Sequence, residues 1–166
     1  GAAGGIWSGG AGAFLPGNTA LGSAYTPSAS EITAGSVKLF LTSTGNGNCN
    51  EVKDSIVITI APAPSADAGV DQTVCSNNSS TTLNGSVNLA SAGIWSGGLG
   101  IFIPNNNALN AVYTPSVAEI TAGTVTLTLT TVGNGNCLPE FDQMTITYTT
   151  DPIVSAGLDQ VICANN

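Results

Sequence analysis

Thr124-Val125-Thr126-Leu127-Thr128-Leu129-Thr130 alternates strictly between polar and apolar side chains. That period of two marks a strand with one wet and one dry face. It directs Val125, Leu127 and Leu129 into a core and the threonines toward water. Ser36–Thr42 has the same form, with Val37, Leu39 and Leu41 inside. Met144, Ile146 and Tyr148 extend an inner face on a further strand, and Trp95 is expected at its centre with Phe102 and Tyr113 nearby. Between these runs stand clusters of Gly, Asn and Pro. Gly133-Asn134-Gly135-Asn136 reads as a hairpin turn, since glycine and asparagine accept positive φ at little cost. Helical periodicity is absent. The pattern predicts strands near 70–75, 81–89, 92–96, 100–103, 109–114, 124–132 and 141–149, and a loop with a single turn from Pro115 to Gly123.

The chain repeats itself. Ile6-Trp7-Ser8-Gly9-Gly10 returns as Ile94-Trp95-Ser96-Gly97-Gly98, and Gly45-Asn46-Gly47-Asn48-Cys49 as Gly133-Asn134-Gly135-Asn136-Cys137. Every such pair keeps one offset, 95 − 7 = 88 residues. A period of that length exceeds the 20–50 residues of a solenoid unit. About seven strands in it suit an immunoglobulin-like sandwich of ~100 residues. The fold class read from the sequence is therefore all-β, with tandem immunoglobulin-like β-sandwich domains. Residues 1–61 form the later part of one repeat, 62–150 a complete repeat, and 151–166 the first strand of the next. Proline-bearing linkers separate them, at Ala61-Pro62-Ala63-Pro64-Ser65 and Thr149-Thr150-Asp151-Pro152. The segment matching 79–88 occurs once, so the opening strands of the first repeat come from upstream sequence or from a neighbouring chain by strand addition.

Composition narrows the function. The 166 residues hold Lys+Arg 2 against Asp+Glu 10, a net charge of −8, and no histidine. Two lysines cannot build a phosphate-neutralising footprint, so no nucleic-acid partner is expected. An anionic membrane would repel the chain, and no apolar run approaches the ~18 residues of a spanning helix, so no membrane insertion is expected. Without histidine, Ser-His-Asp and Cys-His catalysis are unavailable. No cleft for paired carboxylates is marked either, and the chain is expected not to be an enzyme. It opens on Gly1-Ala2-Ala3-Gly4-Gly5 with no signal-peptide pattern, and reads as a mature chain or an interior slice of a longer one.

The four cysteines show no C-x-x-C spacing, which leaves zinc and thioredoxin-like chemistry little support. Either Cys75 pairs with Cys137 inside the complete repeat, or Cys49 pairs with Cys75 and Cys137 with Cys163 between repeats. Placing Cys75 at the far end of the first strand, on the pole of the last hairpin, favours Cys75–Cys137, within reach of the ~5.5 Å Cα separation a disulfide needs. Cys49 and Cys163 would then pair with cysteines outside the chain. Such a clasp would add about 4 kcal/mol on the chain-entropy model and implies an oxidising, extracytoplasmic location.

Other candidates are fewer. No cofactor is required by the pattern. Calcium needs 6–8 oxygen ligands, for which Asp71, Glu119 and Asp142 are the candidates, with Glu140 beside them. Asp71 recurs as Asp159, whereas Asp67 becomes Ser155. The threonine row 124, 126, 128, 130 becomes Ser36, Lys38, Phe40, Thr42, so it is no repeated binding face. Exposed loops such as 97–107 are candidates for holding a glycan, and strand exchange could assemble the chain into a filament.

Ala66-Asp67-Ala68-Gly69-Val70-Asp71-Gln72-Thr73-Val74, followed by Leu83-Asn84-Gly85-Ser86 and Trp95, resembles the opening of PKD-type Ig-like domains. Tyr113-Thr114-Pro115-Ser116 with Glu119-Ile120 and the Val-x-Leu-x-Leu strand resembles tandem repeats of very large Bacteroidota surface proteins, the SprB-like gliding-motility adhesins. The resemblance covers essentially the whole chain. It implies type IX secretion, a cell-surface filament used in adhesion or gliding, and partners among neighbouring repeats of the same chain, surface glycans or other adhesin subunits. Asp-rich loops often follow the Gly-Ser strand in PKD domains; Val87-Asn88-Leu89-Ala90-Ser91 has none. Asp54-Ser55-Ile56 resembles the Bacteroidota O-glycosylation motif, which makes Ser55 a modification candidate.

Overall fold

The computed structural model describes residues 1–163. The chain divides into two compact units, Gly1–Ala63 and a second beginning at Pro64. The first contains β1 (Gly4–Ser8), β2 (Ala13–Leu15), β3 (Ala24–Thr26), α1 (Ala29–Ala34), β4 (Ser36–Thr44) and β5 (Lys53–Thr59). Its strands form a sheet in the order β1-β4-β5 and a β2-β3 pair.

The second unit contains β6 (Ser65–Asp67), β7 (Gln72–Cys75), a 3₁₀ turn over Ser76–Asn78, β8 (Thr81–Thr82), β9 (Ser86–Asn88), β10 (Ala92–Ser96), β11 (Ile101–Ile103), β12 (Val112–Thr114), α2 (Val117–Ala122), β13 (Thr124–Val132) and β14 (Phe141–Thr149). One sheet runs β10-β13-β14-β7, a second β11-β12-β8, and β6 pairs with β9. The fold is all-β, an immunoglobulin-like sandwich. The alternation along β13 does what its sequence demands: Val125, Leu127 and Leu129 are buried, and across the strand pair so are Met144, Ile146 and Tyr148. They join Leu83, Trp95, Ala111 and Tyr113 in one cluster. Burying each large side chain contributes about 1.5–3 kcal/mol. The indole Nε1–H of Trp95 donates to the Leu109 carbonyl at 3.2 Å, so its one polar group is satisfied inside the core.

Three expectations are corrected. Ser65–Asp67 forms a strand that the pattern does not announce. The run 81–89 is two short strands parted at Gly85, where a Cβ would lie 2.7 Å from the Trp95 ring; the backbone there bends to lie against the indole. The loop before Gly123 holds a six-residue helix closed by a capping box: Ser116 Oγ accepts from the Glu119 N–H, and Glu119 accepts from the Ser116 N–H. Ser-x-x-Glu is the sequence signature of that start.

β7 lies parallel to β14, with Ile146 opposite Gln72 and Thr149 opposite Cys75. All other paired strands among the described residues are antiparallel. The first long strand thus runs in the same direction as the last.

Candidate functional site

Asp71 and Asp142 fasten the second unit's opening segment to β14. The Thr145 N–H donates to Asp71 Oδ1 at 2.7 Å, and the Ala68 N–H donates to Asp142 Oδ2 at 2.8 Å. Both are charge-assisted bonds, about twice as strong as neutral ones. Each carboxylate bridges β14 and the segment that precedes or forms β7, so the pair acts as two latches along one seam.

Glu119 has a different task. Its Oε1 accepts from the Tyr113 hydroxyl at 2.6 Å and the Leu99 N–H at 2.8 Å; its Oε2 accepts from the Ser116 N–H at 2.7 Å and the Ser116 hydroxyl at 2.8 Å. The Tyr113 oxygen also accepts from the Gly100 N–H at 2.9 Å. One buried carboxylate thereby ties the loop after β10, the strand β12 and the start of α2 together. Burial pushes the Glu119 carboxyl up, but the Tyr113, Ser116 and Leu99 donors outweigh it, and the net displacement is downward. Burial first, then Glu119, raises the Tyr113 hydroxyl above its ordinary value. The first unit repeats the device with Tyr25, Ser28 and Glu31. There the Ser28 N–H, ahead of the other donors, holds the Glu31 carboxyl down to about 2.

The three calcium candidates therefore do not converge. Glu119 has all its acceptor directions used, and the two aspartates serve backbone amides at separate points. Among the described residues, no three Asp, Glu or Cys side chains stand close enough to share an ion.

The cysteine pairing expected from the sequence is not formed. No disulfide joins Cys75 and Cys137. The parallel seam is the physical reason. Cys75 lies opposite Thr149, at the end of β14, and its thiol points to the Thr150 carbonyl at 3.9 Å. Cys137 lies in the turn before Phe141, at the start of β14. Eight strand steps of about 3.4 Å separate those ends, on the order of 27 Å, far beyond a disulfide's reach. Assigning both residues to one pole requires β7 to run antiparallel to β14. The two cysteines instead stand at opposite ends of β14, Cys137 ahead of its first residue and Cys75 opposite its last. Cys49 and Cys163 are exposed and in no disulfide. Ser55 is exposed on β5, its N–H bonded to Asp54 Oδ1 at 2.7 Å.

No family profile matches the chain, and no curated protein does. Among solved structures, Drosophila N-cadherin EC1-4 is similar at 12% identity and a TM-score of 0.44, over 90% of this chain and 41% of that one. Mouse cadherin-23 EC22-24 is similar at 13% identity and a TM-score of 0.36, over 89% of this chain and 53% of that one. Human protocadherin-24 EC1-2 gives 7% identity and a TM-score of 0.38, over 89% of this chain and 82% of that one. The chain spans less than two thirds of the first two. The resemblance to gliding-motility adhesins rests on the sequence motifs alone.

The Tyr–Ser–Glu tie and the two aspartate latches were not singled out as structural devices from the sequence. The signal for the first was present: Tyr-x-x-Ser-x-x-Glu occurs in both repeats, at Tyr25-Ser28-Glu31 and Tyr113-Ser116-Glu119. The latches join residues 74 positions apart and have no local signature.

Proposed function

We propose that the chain is a structural segment of an extracellular stalk, built from tandem immunoglobulin-like repeats and used in adhesion. One observation carries this reading: Glu31 and Glu119 fasten backbone in both units, Asp71 and Asp142 do so in the second, and the chain enters the complete unit at one end and leaves it at the other. A unit of that form adds length each time it is repeated. The low charge and the absence of histidine supply no catalytic apparatus to such a segment. No helix among the described residues is long and apolar enough to cross a membrane. The motif resemblance adds a finer proposal, type IX export in Bacteroidota and a role in gliding on surfaces.

The test is to raise antibodies to the chain and stain intact cells of the source organism, then apply the purified chain to a glycan array. Staining without permeabilisation and a blank array are expected. Staining only after permeabilisation overturns the extracellular stalk, and a saturable glycan signal replaces the spacer with a binding module.

A further inference from the structure

The smaller sheet of the second unit ends in a strand with no neighbour. β11 is the outer strand of β11-β12-β8, and no strand among the described residues pairs with its other edge. The edge lies in the middle of its unit, with β10 before it and β12 after it. Phe102 points inward, packed on the core with its ring 4.9 Å from that of Tyr113. Strand alternation then turns Ile101 and Ile103 to the opposite face, with Leu99 just ahead of them. The three are 65%, 53% and 76% exposed. Val112, opposite Ile103 on β12, widens the row. The matching positions of the first unit are Ala13, Leu15, Ala11 and Ala24, so the fold itself does not demand this aliphatic row.

The hydrogen-bond ladder decides what the free edge offers. The Leu83 N–H donates to the Ala111 carbonyl at 2.9 Å, and the Gly85 N–H to the Leu109 carbonyl at 3.0 Å. The backbone groups of odd-numbered residues there face the β8 side, so those of Val112 and Thr114 face β11. Their partners are Ile103 and Ile101, which leaves Phe102 to turn its N–H and C=O outward. Pro104 follows the strand and has no N–H to add. Charge singles out the same surface. From Gln72 to Ala118 the chain holds no Asp, Glu, Lys or Arg, and all three strands of this sheet lie in that stretch. Copies of a chain at −8 repel one another, least where they carry no charge. Exposed edges are commonly guarded by lysine or another charge, and this one is not.

We infer that β11 pairs antiparallel with β11 of a second copy of this chain, about a twofold axis at Phe102. The Phe102 N–H of each copy donates to the Phe102 carbonyl of the other. Ile101 of each lies opposite Ile103 of the other, and the two aliphatic rows merge into one on a shared face. An identical strand is the partner that this edge fits, because both its donor–acceptor pair and its apolar row are self-complementary. Main-chain bonds along an exposed edge are the physics of strand addition. Each copy spends its β11 edge once, so the contact closes at two copies. A surface this small makes a weak dimer that responds to concentration. The inference goes beyond the stalk reading and does not depend on it.

The test uses the 166-residue chain in reductant, followed by light scattering across a concentration series. The weight-average mass is expected to rise toward about twofold that of one chain and to stop there. Added salt is expected to leave the rise in place or to strengthen it, because it screens like charges. Ile101→Lys with Ile103→Lys, both at exposed positions, is expected to hold the chain at a single mass with little change in its thermal transition. Hydrogen exchange at the Phe102 amide of the wild-type chain is expected to slow as concentration rises. A wild-type chain that stays monomeric overturns the inference, as does a mass that climbs past twofold. So does a double variant that still doubles, or a doubling that leaves Phe102 exchange unmoved, which would point to stacked sheet faces instead of paired edges.

Discussion

Tyr113 and Tyr148 are both buried phenols in one core, and the structure assigns them opposite values. The Tyr113 hydroxyl donates to Glu119 and accepts from Gly100, whereas the Tyr148 hydroxyl has no hydrogen-bond partner among the described residues. Removing a satisfied buried group leaves its partners stranded, but removing an unsatisfied one relieves a desolvation cost. Tyr113→Phe is therefore expected to lower stability by about 1–3 kcal/mol, and Tyr148→Phe to leave it unchanged or raise it, as read by urea unfolding. The acids set a pH dependence. Glu31 in the folded chain protonates at about 2 rather than the ordinary 4.5, so its contribution is complete above 4.5 and is lost as the pH falls toward 2. Glu119, also lowered, acts in the same direction. Burial, then the Glu119 charge, pushes Tyr148 up to about 12 from 10, so the folded chain holds that proton more tightly. Its contribution is complete below pH 10 and is lost as the pH climbs to about 12. Thermal midpoints across a pH series are expected to fall at both extremes.

Between elements, direction decides more than composition. Seven-residue alternation reveals β13 and its inner face, and the core residues Val125, Leu127, Leu129, Met144, Ile146 and Tyr148 were all legible because period-2 burial is local. Whether β7 runs with β14 or against it is not local. Nothing in Gln72–Cys75 announces the partner 74 residues away, and a strand reads the same in either direction. The latch aspartates share that invisibility, which is why their recurrence suggested an ion. Their actual work yields a prediction. Asp71→Ala is expected to speed amide hydrogen exchange at Thr145, and Asp142→Ala at Ala68, with little change in the centre of β13. The helix α2 gives a second. Ser116→Ala removes one half of the capping box and is expected to cost about 1 kcal/mol, measured as a drop in the unfolding midpoint.

For the molecule as a whole, the repeat is plain in the sequence because one offset links every motif; the structure divides into two compact units, at Ala63 and Pro64. The cysteines misled at this scale, since spacing along a chain says nothing about which end of a sandwich a residue reaches. The structure expects reductant to leave the thermal transition of the second unit unmoved, and a non-reduced peptide map to show no Cys75–Cys137 link. A midpoint that falls in reductant would restore the internal clasp.

A thiol at each extremity of a bead cannot lock the bead shut. The strength of each bead rests instead on its aspartates, its buried tyrosine and its indole, so a reducing solution finds nothing inside it to loosen.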